Sequence, residues 1–145
     1  MKPGKDILRD ARIDVSPQSF SLVSIGHGEW IRILENPELS PRMTAPFMIL
    51  KDQHEVTLLL DDIDFATIHH AIRDAKTERG LRLLTFDVEL DLSATGFLAE
   101  VSRILADAEI SLIAVSAFSR DHLLVKQTDL SAALRAFGPF VKELC

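Results

Sequence analysis

The stretch that decides the fold reads Asp91-Leu-Ser-Ala-Thr-Gly96-Phe-Leu-Ala-Glu-Val101, then Leu105-Ala-Asp-Ala-Glu-Ile-Ser-Leu112, Val115-Ser-Ala-Phe118 and Asp121-His-Leu-Leu-Val125. It opens with a loop of small polar residues that ends at Gly96. Phe97, Leu98, Val101, Leu105 and Ala108 then recur at helical spacing, which predicts an amphipathic helix over Phe97–Glu109. Ile110–Phe118 reads as a strand, Ser119–Asp121 as a tight turn and His122–Lys126 as the hairpin partner. Upstream, Leu81–Leu90 has a long strand pattern. Downstream, Leu130, Leu134 and Phe137 form the stripe of a helix over Asp129–Phe137, punctuated by Gly138-Pro139. The last six residues fit a short edge strand or a helical end. The order β-α-β-β-α, with room for a final strand, is the split βαβ plan of ferredoxin-like folds.

Outward from this stretch, a shift of 67 residues lays Val56 on Leu123, Leu58 on Val125, Asp62-Ile63-Asp64 on Asp129-Leu130-Ser131 and Ala66 on Ala133. The earlier half therefore carries the same hairpin and acidic helix start. Phe20–Ile25 reads as its first strand, Phe47–Leu50 and Glu55–Leu60 as its hairpin, and Phe65, Ile68, Ile72 and Ala75 as a helix that Gly80 stops. Between them, residues 27–45 read as irregular, because Gly26, Gly28, Pro37, Pro41 and Pro46 interrupt the pattern. The expectation is an α+β chain of two ferredoxin-like modules packed together, the first with its first helix replaced by a loop. Residues 1–16 form a polar leader, 17–80 a degenerate module and 81–145 a complete one. Asp6–Ile13 could hold a short helical piece.

The composition of the 145 residues is globular, with 47% hydrophobic and 26% charged residues. No apolar run approaches the roughly 18 residues of a membrane-spanning helix. Met1–Val15 is dense in charge and contains no signal-peptide stretch, so a cytoplasmic location is expected. The net charge of −6 and the lack of any basic run argue against nucleic acid. The single cysteine, Cys145, excludes an internal disulfide within the chain. No histidine pair has the i, i+4 spacing of a helical zinc site, and no nucleophile elbow or phosphate-binding glycine motif occurs. No catalytic residue, metal or cofactor is expected.

The residues quoted first resemble an ACT domain, and more narrowly the bacterial tandem-ACT proteins of uncharacterised function; the make is also similar to that of the eukaryotic cytosolic arginine sensor. The resemblance covers residues 82–137 well and 17–80 loosely. It implies a non-catalytic regulatory module that binds a free amino acid at the interface of two domains. Carried over by motif, the ligand-binding positions are Ser93, Thr95, Gly96, Phe97, Ser116, Phe118 and Asp121. Three positions depart from the family pattern: Ala117 replaces a usual threonine, and Arg120 and His122 replace a small polar residue and an aromatic.

The chemistry of such a site is simple. A helix start offers backbone N–H groups to a carboxylate, and Asp121 could pair with an ammonium group. Each residue also has a purely structural reading. Gly96 could serve close packing, Ser93 or Thr95 could cap the helix, Asp121 could belong to the turn alone, and Phe118 could be core. An ACT pair that has lost its ligand is the alternative function. A homodimer is expected, because Ile110–Phe118 is apolar beyond the need of a strand with one wet face.

Overall fold

A computed structural model describes residues 3–91 and 93–145. In chain order the helices are α1 Gly4–Arg9, α2 His27–Glu35, α3 Asp62–His69, α4 Phe97–Asp107 and α5 Leu130–Phe137. The strands are β1 Arg12–Val15, β2 Phe20–Ile25, β3 Met48–Lys51, β4 Val56–Asp61, β5 Ala75–Asp87, β6 Ile113–Ser116, β7 Asp121–Lys126 and β8 Glu143–Leu144. Contacts divide the chain into two units, Gln18–Leu81 and the two-segment combination of Met1–Pro17 with Arg82–Cys145. The division falls inside β5.

The contiguous unit has the order β2-α2-β3-β4-α3-β5, a complete βαββαβ plan. Its strands lie in the order β3-β4-β2-β5, each antiparallel to its neighbour. Alternation places Val23 and Ile25 of β2 and Val56, Leu58 and Leu60 of β4 in the core, with Ile33, Phe65 and Ile68 from the helices. The expectation of a loop in place of the first helix is corrected here: α2 occupies nine residues. Gly26 is extended and serves as its N-cap, and the three prolines all follow the helix. The second helix is shorter than its apolar spacing predicts. α3 ends at His69, and Ala75 begins β5, where pairing with Ile25 outweighs the helical pattern. Gly80 is no helix stop; it sits in β5 at φ 70°, where the register against β2 shifts.

The two-segment unit runs β5-α4-β6-β7-α5, and β5 pairs with β7 and β1, while β6 pairs with β7. The fourth ferredoxin-like position is filled from the start of the chain. Arg12–Val15 pairs antiparallel with Leu84–Asp87, and β8 adds in parallel on the other side of β1. Residues 3–16, expected as part of a polar leader, are thus no outlying segment. Leu8, Ala11 and Ile13 are fully buried in one core with Leu84, Phe86, Phe97, Val101, Leu105, Leu123, Val125 and Phe137. The Phe86 ring meets Phe97 and Phe137 edge to face, at 5.5 and 5.4 Å. At the end of α4, Glu109 takes a left-handed φ of 59° and Ile110 N–H donates to the Leu105 carbonyl, so the Ala-Glu-Ile segment closes the helix.

Candidate functional site

A groove of about 860 Å³ lies within the two-segment unit. Its walls are Glu89–Asp91 after β5, the first turn of α4 from Gly96 to Ala99, and the β6–β7 hairpin from Ser116 to Asp121. One hydrogen bond ties the first wall to the hairpin, from Leu90 N–H to the Ser119 carbonyl at 2.7 Å.

The helix start is built by the loop before it. Asp91 accepts hydrogen bonds from the backbone N–H groups of Ser93 and Ala94 and from the Ser93 hydroxyl. These donors hold the Asp91 carboxyl below its ordinary range, with the Ser93 hydroxyl contributing most. The N-cap of α4 is Gly96, at φ 83° and ψ −4°, rather than Ser93 or Thr95. A left-handed cap favours glycine, so Gly96 has a conformational as well as a packing reason. Glu100 N–H donates back to the Gly96 carbonyl at 3.0 Å. The N–H groups of Phe97, Leu98 and Ala99 precede that first helical bond, at the positions where a helix leaves its donors without an intrahelical partner.

Across the groove, Ser116 and Asp121 face each other in the hairpin register, and the Ser116 hydroxyl donates to Asp121 Oδ1 at 2.7 Å. Phe118 is not a core residue: its side chain is fully exposed at the hairpin tip, where no neighbouring strand covers a turn residue. Phe97 is 3% exposed and belongs to the core. It is nevertheless among the residues that line the groove. Gly96, Phe97, Ser116, Phe118 and Asp121 thus line one groove, whereas Ser93 is engaged with Asp91 and, like Thr95, is not among its lining residues.

Sequence reasoning marked Arg120 only as a departure from the family pattern and missed its partner. Its Nε–H donates to Asp87 Oδ1 at 2.9 Å, and Asp87 is also met by Arg12 of β1 at 3.2 Å. No local spacing links Arg120 to a carboxylate 33 residues earlier; only the pairing of the strands does. Beside it, His122 is hydrogen-bonded through Nδ1 to Thr85 Oγ1 at 2.8 Å. Burial pushes the His122 imidazole below its ordinary value, and the neighbouring Arg120 charge acts in the same direction against Asp121. Glu89, Asp91 and Asp121 give the groove three carboxylates against one guanidinium.

Residues 76–137 match the family model of the ACT domain. The chain carries an ACT domain over that segment. Among solved structures, the fold is shared with an Agobacterium tumefaciens protein at TM-score 0.68 and 16% identity, covering 94% of this chain and 92% of that one. A Vibrio cholerae protein of unknown function aligns at TM-score 0.67 and 17% identity, over 92% and 93%. The regulatory subunit of aspartate kinase from Thermus flavus aligns at TM-score 0.68 and 12% identity, over 88% and 95%. No curated protein matches the chain in sequence. All of the groove's lining residues lie within the segment that matches the ACT model. No helix among the described residues is long and apolar enough to cross a membrane.

Proposed function

We propose that the protein is a non-catalytic, cytoplasmic regulatory module whose ACT-domain groove binds a free α-amino acid. The observation that carries this reading is the pairing of two complementary walls in one groove. The α4 start presents N–H groups suited to a carboxylate, and Asp121 lies on the opposing hairpin, suited to an ammonium group. Helix-end donors favour an anion by only about 0.3–1 kcal/mol when exposed, so both walls are needed. Ser93 and Thr95 act through the shape of the loop, and Gly96, Phe97, Ser116, Phe118 and Asp121 form the contact surface.

The module acts as a homodimer in this reading. β6 has β7 as its strand partner among the described residues; Ile113 on β6 is exposed, as is Phe118 at the hairpin tip. Sedimentation at micromolar concentration should give twice the 16.2 kDa chain mass; a species of the chain mass alone would remove the dimer. A ligand present at about 100 times its Kd should stabilise the fold by about 2.7 kcal/mol, or roughly 5–10 °C in Tm for a chain of this size. Thermal shift with each of the twenty amino acids at millimolar concentration tests the binding. A second reading is favoured by one observation: Asp121 already accepts a hydrogen bond from Ser116. No shift with any amino acid would establish that reading, an ACT fold kept for interaction alone.

A further inference from the structure

We infer that Gly4, near the start of the chain, is a positioning residue for the groove: it sets where the Gly96–Phe97 peptide lies, and through it the donors at the start of α4. The inference rests on the amino-acid reading of that groove. Gly4 is the first residue of α1, is buried, and packs directly on the peptide that opens α4. A Cβ placed on Gly4 would collide with the Gly96 carbonyl carbon and oxygen and would stand 2.6 Å from the Phe97 nitrogen. All three atoms are backbone, so no side chain can swing aside. Either α1 lifts or the peptide moves.

α1 is held in place. Leu8 and Ala11 are fully buried in the unit's core, and the Asp10 and Ala11 N–H groups close the turn onto the carbonyls of Ile7 and Leu8. The chain then enters β1, whose register with β5 is fixed over four residues. On the other side Phe97 is anchored in the core, so the part that can give is the Gly96 end of the peptide. Gly96 is a left-handed cap without a side-chain hydrogen bond, and its loop is organised by Asp91 rather than by the core. A methyl group at position 4 therefore displaces the helix start. A carboxylate bound there meets N–H groups that are misplaced, although Gly4 never touches it.

The test is an ¹⁵N amide spectrum of the full chain, titrated with an equimolar mixture of the twenty amino acids. Wild type, Gly4→Ala and the control Leu8→Ala are compared. Leu8→Ala loosens α1 by cavity formation without adding an atom against Gly96. Before titration, Gly4→Ala should move the Gly96 and Phe97 amide signals more than Leu8→Ala does. On titration, wild type and Leu8→Ala should respond at the α4 start at similar concentrations. Gly4→Ala should need at least about ten times more of the mixture, the equivalent of one misplaced charge-assisted hydrogen bond. If Gly4→Ala fails to fold at room temperature, the comparison is made at reduced temperature; failure there too, with Leu8→Ala folded, makes Gly4 a requirement of the fold itself and overturns the positioning role. Undiminished binding by the Gly4 variant, or an equal loss in Leu8→Ala, overturns the positioning role alone. A wild-type chain that does not respond overturns the amino-acid reading and this inference with it.

Discussion

The two units share one plan but differ at the joint between their first strand and first helix. In the contiguous unit, Gly26 alone separates the end of β2 at Ile25 from the start of α2 at His27. His27 Nε2–H then donates to the Asp52 carbonyl in the β3–β4 turn at 3.0 Å, joining helix start to hairpin. In the two-segment unit, residues 88–96 separate β5 from α4, and the corresponding space is a groove of about 860 Å³. A tight strand-to-helix joint brings a side chain across the gap; a long one leaves room for something else. The presence of a site thus depends on joint length, which the ferredoxin-like plan leaves free.

The largest expected effect follows from how each unit is assembled along the chain. A fragment of residues 82–145 lacks β1 and α1, and with them Leu8, Ala11 and Ile13 from the core. It should show no cooperative urea transition by circular dichroism. The contiguous fragment 18–81 retains all four of its strands and should retain a transition, though a weak one for its size. A stable fragment 82–145 would break this distinction. Next in size, Phe86→Ala should cost about 3–5 kcal/mol, because the ring meets both Phe97 and Phe137. Chemical denaturation measures it. In the contiguous unit the comparable fastening is polar. Arg42 donates to Asp64 at 2.8 Å and to Asp61 at 3.1 Å, both carboxylates being buried. Hydrogen bonding to Asp64, chiefly, raises the Arg42 pKa. Arg42→Ala leaves two buried carboxylates without this partner and should lower the denaturation midpoint, by less than Phe86→Ala does.

The sequence exposed the strand and helix order of residues 81–137 because each apolar face there is periodic and its breaks coincide with real turns. It concealed β1, since Arg12-Ile-Asp-Val15 is only four residues long and half polar; its partner, Leu84–Asp87, lies some seventy residues away. It concealed α2 because glycines at 26 and 28 resemble loop punctuation, whereas one is an N-cap and the other lies inside the helix. At the groove, the loop and hairpin were legible as a motif, but side-chain direction was not. Phe118 has a core residue's composition and a turn residue's exposure, and Arg120 acquires its meaning only when β5 and β7 are paired.

A pH experiment separates the units further. His122, in the groove-bearing unit, has its pKa lowered in the folded state by burial, so the unfolded chain binds a proton first as pH falls through about 6.5. Stability from this group is therefore full above that pH. It declines as pH falls toward the depressed folded value, then levels off. Replacing it, His122→Gln, should reduce the fall in Tm between pH 7.5 and 5.5. An unchanged pH profile would mean that the environment of His122 makes no difference to folding.

The smallest expected effect tests the joint itself. His27→Ala removes an exposed hydrogen bond, worth about 0.5–1.5 kcal/mol as a typical net value and less where water replaces it. If the histidine merely joins helix and hairpin, the variant should lose a degree or two of Tm and gain no response to amino acids at the α2 start. If instead the variant acquires new amide shifts at Gly28 and Glu29 on titration with the amino-acid mixture, the imidazole has been occupying a site rather than substituting for one. The difference between the units would then lie in a single side chain, and joint length would no longer explain it.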